Sequence, residues 1–340
     1  MKITAKIALA VFLLLVAGMF IFFQENRLPG VRKEGCSKSV ATPERKTPES
    51  KSPAEAGAAN AQKTEAREDK KIKNTDARLP VEGEAAEPWI KILNYHEIFP
   101  ESVKKSKDPA VNRFSKPSDL LLIVTTEEFE KQMEYLSKTF KCVKMSDYGR
   151  QLEKKEPFKE NVVIITFDGA DKTVYSQAYP ILKKYNLPAT LFLHINSLLL
   201  DKTAMKWDTI IRLHEEGLME IESHSVSHPH LNRKLKNESV EGYETRIRKE
   251  LADSKRIIEE KLNKKVYYFA YPYGGYNSTV IRLLKETGYK ASVTVQWDKN
   301  TITTNPYALR RRGVLGVHNM KNFIELFKQN IKDDLREYAD

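Results

Sequence analysis

Val162 to Ile165 is an unbroken run of β-branched residues inside NVVIITFDGAD, Asn161 to Asp171. A run this short cannot make a stable helix. It fits a strand buried on both faces, which belongs to a parallel sheet covered by helices. Thr166, Phe167 and Asp168 close the run, so a carboxylate reaches the C-terminal edge of the sheet, where α/β folds place their chemistry. Asp is also a common helix cap. The choice depends on whether other strands end the same way, and three do. Ile90 to Tyr95 runs into His96; Met219 to Ser223 runs into His224 and then His228; Val266 to Tyr271 runs into Pro272, Tyr273, Gly274 and Gly275. A carboxylate, three imidazoles and a glycine-rich turn at four strand ends describe one site on one rim.

The surrounding pattern supplies the helices of such a fold. Thr125 with Glu128 starts a capping box, and Phe129, Met133, Leu136 and Phe140 recur at helical spacing. Helices are expected over Ser146–Leu152, Lys172–Tyr185, Trp207–Glu216, Glu241–Leu262 and Ser278–Glu286. Asn186 and Pro188 close the second of these, and further strands are expected over Ala189–Ile195 and Lys290–Val295. The polar segment from His96 to Ser118 reads as a loop over the rim. Alternating strands and helices give an α/β fold, an incomplete or distorted (β/α) barrel.

Ahead of the barrel, Ile7 to Phe23 is almost continuously apolar behind Lys2 and Lys6, close to the lower limit for spanning a bilayer. Ala17 and Gly18 lie inside this run rather than after it, which favours a membrane anchor, residues 1–23, over a cleaved signal peptide. The leading lysines put the rest of the chain on the extracytoplasmic side of the cell membrane. Residues 24–88, rich in Lys, Glu, Ala, Ser, Thr and Pro, cannot bury enough surface to offset ordering and read as a flexible linker. Core-forming composition resumes at Trp89, so residues 89–340 form the folded domain.

Two cysteines, Cys36 and Cys142, exclude a disulfide framework or a cysteine metal site. The net charge of +11 is spread without an aromatic and basic cluster, so no nucleic-acid partner is expected. An anionic envelope polymer or lipid surface suits that charge better.

His224 and His228 stand four apart after a strand; on a helical turn they face one way and suit one metal ion. His194, His214, His230 and His318 read as ordinary polar or core residues, His194 inside a strand. Two histidine ligands beside a free carboxylate point to metal-assisted hydrolysis, with Asp168 removing a proton from the attacking water. The turn YPYGGY, Tyr271 to Tyr276, offers a backbone N–H to a developing oxyanion, Tyr273 behind Pro272 being the candidate, which implies a carbonyl substrate. Tyr95, Tyr271, Tyr273, Tyr276 and Trp297 offer flat faces for sugar rings.

These residues resemble the polysaccharide deacetylases with a NodB-homology domain, carbohydrate esterase family 4. The resemblance runs from about Ile90 to Phe327. It rests on ITFDGADKTVYSQAYPILKKYNLPATLFL (Ile165 to Leu193), ESHSVSHPHL (Glu222 to Leu231) and YFAYPYGGYN (Tyr268 to Asn277). Within the family the chain looks most like the poly-N-acetylglucosamine deacetylases, whose early YH motif matches NYHEI, Asn94 to Ile98. The resemblance implies a divalent metal, zinc, on His224 and His228, Asp168 as base and His96 as general acid, with His318 the alternative acid. It implies an N-acetylated polysaccharide as substrate. One departure stands out: the family's Thr-Phe-Asp-Asp-Gly reads Thr166-Phe167-Asp168-Gly169-Ala170 here, so the base is kept and the carboxylate ligand is missing. Asp171 is a candidate substitute, although it also suits the start of the next helix. An active N-deacetylase, a carbohydrate-binding pseudoenzyme on the same barrel and a metallohydrolase of another amide or ester are the readings that follow.

Overall fold

The computed structural model describes residues 87–106 and 121–328. The expected anchor and nearly all of the expected linker lie outside these residues. Among the described residues no helix is long and apolar enough to cross a membrane.

The described residues form ten strands: β1 (Ile90–Tyr95), β2 (Glu97–Phe99), β3 (Ile123–Thr125), β4 (Lys141–Val143), β5 (Val162–Asp168), β6 (Ala189–Leu193), β7 (Met219–Ser223), β8 (Tyr268–Ala270), β9 (Ala291–Val293) and β10 (Arg311–Gly313). Seven follow one another in the order β10-β1-β5-β6-β7-β8-β9, and every neighbouring pair is parallel. One edge of β5 is shared: β4 lies beside Val162–Ile164 and β6 beside Ile165–Asp168. That split is the distortion in the barrel. Closure is nearly complete, because Leu309, just before β10, donates to the Ser292 carbonyl at 3.0 Å and accepts from Thr294 N–H at 2.8 Å.

The period of two along each strand explains the continuous apolar runs. Ile90, Ile92, Val162, Ile164, Phe192, Ala291 and Val293 join one buried cluster, and Leu93, Tyr95, Val163, Ile165 and Phe167 join another. The first fills the barrel; the second meets the helices. Asn94, Thr166 and Asp168 share the inward parity of Ile92 and Ile164, so β5 turns its carboxylate into the barrel mouth.

The helices begin and end where local chemistry dictates. Thr125 Oγ1 accepts from Glu128 N–H at 3.2 Å and caps the helix Thr126–Thr139. Ser239 caps Val240–Leu262, and Asn263 ends it in a left-handed conformation at φ 48°. The expected helix after Asp171 contains a π-turn over Val174–Ala178 before regular helix over Tyr179–Lys184. Three expectations are corrected. The segment after His96 is not simply a loop, since Glu97–Phe99 pairs in parallel with Ile123–Thr125. The strand expected over Val266–Tyr271 is only Tyr268–Ala270. The strand expected over Ala189–Ile195 stops at Leu193, which moves His194 out of the sheet and onto its rim.

Candidate active site

Asp168 leaves β5 with both carboxylate oxygens held by Arg311: Nη1 donates to Oδ1 and Nη2 to Oδ2, each at 2.7 Å. Arg311 is fully buried, so its charge requires this partner. Its remaining donors reach the Thr294 carbonyl at 2.9 Å, Asn94 Oδ1 at 3.2 Å and Thr166 Oγ1 at 3.3 Å. Burial alone would raise the Asp168 carboxyl. The Arg311 guanidinium outweighs it and holds Asp168 well below the usual carboxylate range. Two further lone-pair positions remain on the carboxylate after a bidentate pair.

Asp168 Oδ2 lies 3.9 Å from His224 Nε2. His224 Nδ1 is 2.8 Å from the Ala270 carbonyl, which only accepts, so Nδ1 carries the proton and Nε2 presents its lone pair to the site. His228 Nε2 stands 3.0 Å from His224 Nε2. The expected helical turn is absent: Ser225 and His228 are left-handed, at φ 68° and 56°, and His228 N–H is fixed on Ser225 Oγ at 3.0 Å. The irregular loop nevertheless brings the two imidazoles to one point. Burial keeps both neutral, with His228 lowered to about 2, and neutral imidazole is the form that binds metal.

His96, the residue after β1, is pushed down to about 4 by burial, while Asp168 pulls it up and Arg311 lowers it further. The charges acting on it are those of the site. His318 instead accepts Leu315 N–H on Nδ1 at 3.0 Å within its own turn, and the charge acting on it is Arg312. Tyr273 sits in the glycine-rich turn at φ 57°, its ring centroid 4.5 Å from His228 and 4.2 Å from His230; Pro272 precedes it, buried. Gly274 follows at φ 69°, where a Cβ would overlap Val295. The turn thus lies beside the paired histidines.

Two of the expected sugar platforms are corrected: Tyr95 and Tyr271 are fully buried, their hydroxyls donating to Gln132 Oε1 and the Tyr307 carbonyl at 2.9 Å. Trp297 is exposed but already carries Arg312 at 3.6 Å from its ring centroid. Asp171 Oδ1 accepts from Thr173 N–H at 2.8 Å and its hydroxyl at 2.6 Å, the geometry of a helix cap. A cleft of about 490 Å³ opens beside His96, Asp168, Gly169 and Asp171.

Two residues of the site are not visible in the sequence pattern. Arg311 is hidden in Arg310-Arg311-Arg312, which reads as a solvated charge run; the strand period is the available signal, since Arg310 pairs with Asp298 and Arg312 covers Trp297 while Arg311 points inward. His194 reads as a strand interior residue, although ATLFL followed by His repeats the pattern of the other strand ends.

The pocket chemistry fits a divalent ion on the available donors: two neutral imidazoles converge, and a third, His194, has a buried Nε2 without a partner. Among the described residues no three His, Cys, Asp or Glu side chains already surround one point.

Comparison with known proteins agrees with this architecture. The polysaccharide deacetylase family profile matches residues 155–292. The poly-beta-1,6-N-acetyl-D-glucosamine N-deacetylase of Staphylococcus epidermidis is 30% identical over 233 residues, covering 64% of this chain and 76% of that protein. Its Staphylococcus aureus (strain N315) counterpart is 29% identical over 248 residues, covering 71% and 83%. Among solved structures, the Streptococcus pyogenes deacetylase PplD in complex with acetate superposes with a TM-score of 0.59 at 24% identity, covering 71% of this chain and 98% of that one. IcaB from Ammonifex degensii gives a TM-score of 0.57 at 22% identity, covering 70% and 95%. The fold, the strand-end motifs and these relatives together make the chain a member of the polysaccharide deacetylase family, a polysaccharide N-deacetylase by class.

Proposed function

We propose that this chain hydrolyses N-acetyl groups of an envelope or extracellular N-acetylglucosamine polysaccharide, with Asp168 as base and His96 as acid. The observation that carries the reading is Asp168, clamped by Arg311 and aimed at His224 Nε2 across 3.9 Å. A carboxylate held ionised this firmly is a weak base, so it takes a proton readily only from an acidified nucleophile. His224 and His228 would hold a divalent ion, most simply zinc, which would supply that acidity and polarise the carbonyl. Asp168 accepts the proton of the attacking water, and that proton reaches the leaving nitrogen through His96, which is neutral at rest and protonated only transiently. The Tyr273 backbone N–H, in the turn whose ring packs on His228, would be the donor to the oxyanion. The staphylococcal relatives, named for poly-beta-1,6-N-acetyl-D-glucosamine, support this substrate class.

The proposal extends to location: residues 1–23 anchor the chain in the cell membrane, residues 24–88 link it and residues 89–340 act on the extracytoplasmic side. Protease added to intact spheroplasts should cut within the linker; protection until lysis would reverse the topology.

A second reading, a sugar-binding pseudoenzyme, draws on Gly169, which leaves the family's carboxylate ligand absent. Release of free amine from poly-N-acetylglucosamine by the full chain, with and without chelator and added zinc, separates the two. The deacetylase requires metal-dependent amine release; the pseudoenzyme gives none and binds sugar despite chelation.

A further inference from the structure

Gly169 and His194 each follow directly on the last residue of a strand, β5 and β6, which pair in parallel. Asp168 pairs with Phe192, and Gly169 N–H donates to the Phe192 carbonyl at 3.0 Å, so the next register step sets Gly169 opposite Leu193 and His194 one residue beyond it. At Gly169 a Cβ would meet nothing within 4 Å, so the space of the missing side chain is open.

His194 shares the inward parity of the other site residues. Phe192 packs inside the barrel, and His194 continues extended at φ −89° and ψ 112°, which carries that parity past the end of β6. Asp168 and His224 stand in the same relation to Thr166 and Glu222. The backbone around His194 is tied to the two-histidine loop on both sides: His224 N–H donates to the Leu193 carbonyl at 2.9 Å, Ile195 N–H to the Ser225 carbonyl at 3.3 Å, and Asn196 N–H to the Val226 carbonyl at 2.9 Å. Its ring centroid is 5.4 Å from that of His228. Its buried Nε2 has no hydrogen-bond partner, a condition that native proteins seldom leave without a role.

We propose that His194 is the third protein ligand of the metal site, its imidazole taking the place of the carboxylate that Gly169 lacks. The substitution exchanges an anionic oxygen for a neutral nitrogen. It gives a three-imidazole set with one position open, suited to zinc or cobalt rather than to magnesium or manganese. The inference rests on the deacetylase reading only in requiring a divalent ion at this site.

The test is zinc titration of the chelator-stripped full chain and of His194→Ala, His194→Gln and His224→Ala, with the visible spectrum of the cobalt forms as a second readout. Both His194 variants should bind zinc at least about 10-fold more weakly and lose the tetrahedral cobalt spectrum. On zinc addition to the unaltered chain, the His194 ring-nitrogen NMR signal should move to the metal-bound position, a readout independent of how the variants fold. Unchanged zinc affinity and cobalt spectrum in the His194 variants, with metal lost from His224→Ala, would overturn His194 as ligand and leave the deacetylase reading standing. An unmoved His194 signal at saturating zinc would overturn it equally. Failure of the unaltered chain to bind zinc or cobalt would instead remove the metal reading itself.

Discussion

Arg311 Nη1 and Nη2 hold the two oxygens of Asp168 at 2.7 Å each, a bidentate pair between a fully buried guanidinium on β10 and the last residue of β5. The pair joins two strands separated by β1 and fixes the orientation of the base. Removing one member of a buried pair leaves the other uncompensated, at a cost of about 3–5 kcal/mol. Arg311→Ala should lower the urea midpoint accordingly and reduce turnover. Arg311→Lys restores charge without the fork, so it should recover stability in part while activity stays low. Wild-type turnover in the lysine variant would show that charge alone, not orientation, is needed.

The proton donor is the next prediction. His96 shares its electrostatic environment with Asp168, Arg311 and His224, whereas His318 answers to Arg312. His96→Ala should therefore lower turnover by about 10²–10⁴ with zinc still bound. A near-normal His96→Ala beside an inactive His318→Ala would move the acid to His318.

Acid should weaken the metal-free protein well before its carboxylates titrate. Burial lowers His96 and His194 to about 4 and His228 to about 2, against about 6.5 for the unfolded chain. The unfolded state thus binds protons first as pH falls. The stability contribution of each neutral ring is fully present above about pH 6.5 and is lost toward its folded value, with a slope approaching about 1.4 kcal/mol per pH unit for each histidine. Urea midpoints of the chelated protein should fall steeply from about pH 7.5 to about pH 4.5, the range that brackets histidine titration, and less steeply in His228→Gln. A flat profile would contradict neutral buried rings.

Much of this arrangement is legible from strand periodicity. The runs ending at Asp168, His96 and His224 mark one rim because parallel strands buried on both faces have little other use for polar ends. The four-residue spacing of His224 and His228 suggests a helical turn, but a loop with two left-handed residues brings the rings together, a difference that spacing alone does not reveal. Arg311 is obscured because a three-arginine run carries no apolar contrast to show its alternation. His194 is obscured because Ile195 prolongs the apolar pattern beyond the point where the backbone enters the helix Ile195–Leu200. Tyr95 and Tyr271 do not serve as platforms because tyrosine works equally as a core residue when its hydroxyl finds a partner, as both do here.

Gly169 gives a further prediction. Open space surrounds the position of its Cβ, yet its φ of 103° is one that side chains rarely adopt. Gly169→Asp should cost about 1–3 kcal/mol of stability and tighten zinc binding by adding an anionic ligand. Weaker zinc binding in a folded Gly169→Asp protein would show that the position no longer faces the ion.

The central claim is metal-dependent deacetylation using Asp168, and free-amine release from poly-N-acetylglucosamine tests it most directly. The full chain should release amine at saturating zinc, lose this activity on chelation and regain it on zinc addition, while Asp168→Asn binds zinc but turns over about 10²–10⁴-fold more slowly. No amine release by the zinc-loaded chain, or equal release by Asp168→Asn, would contradict the account.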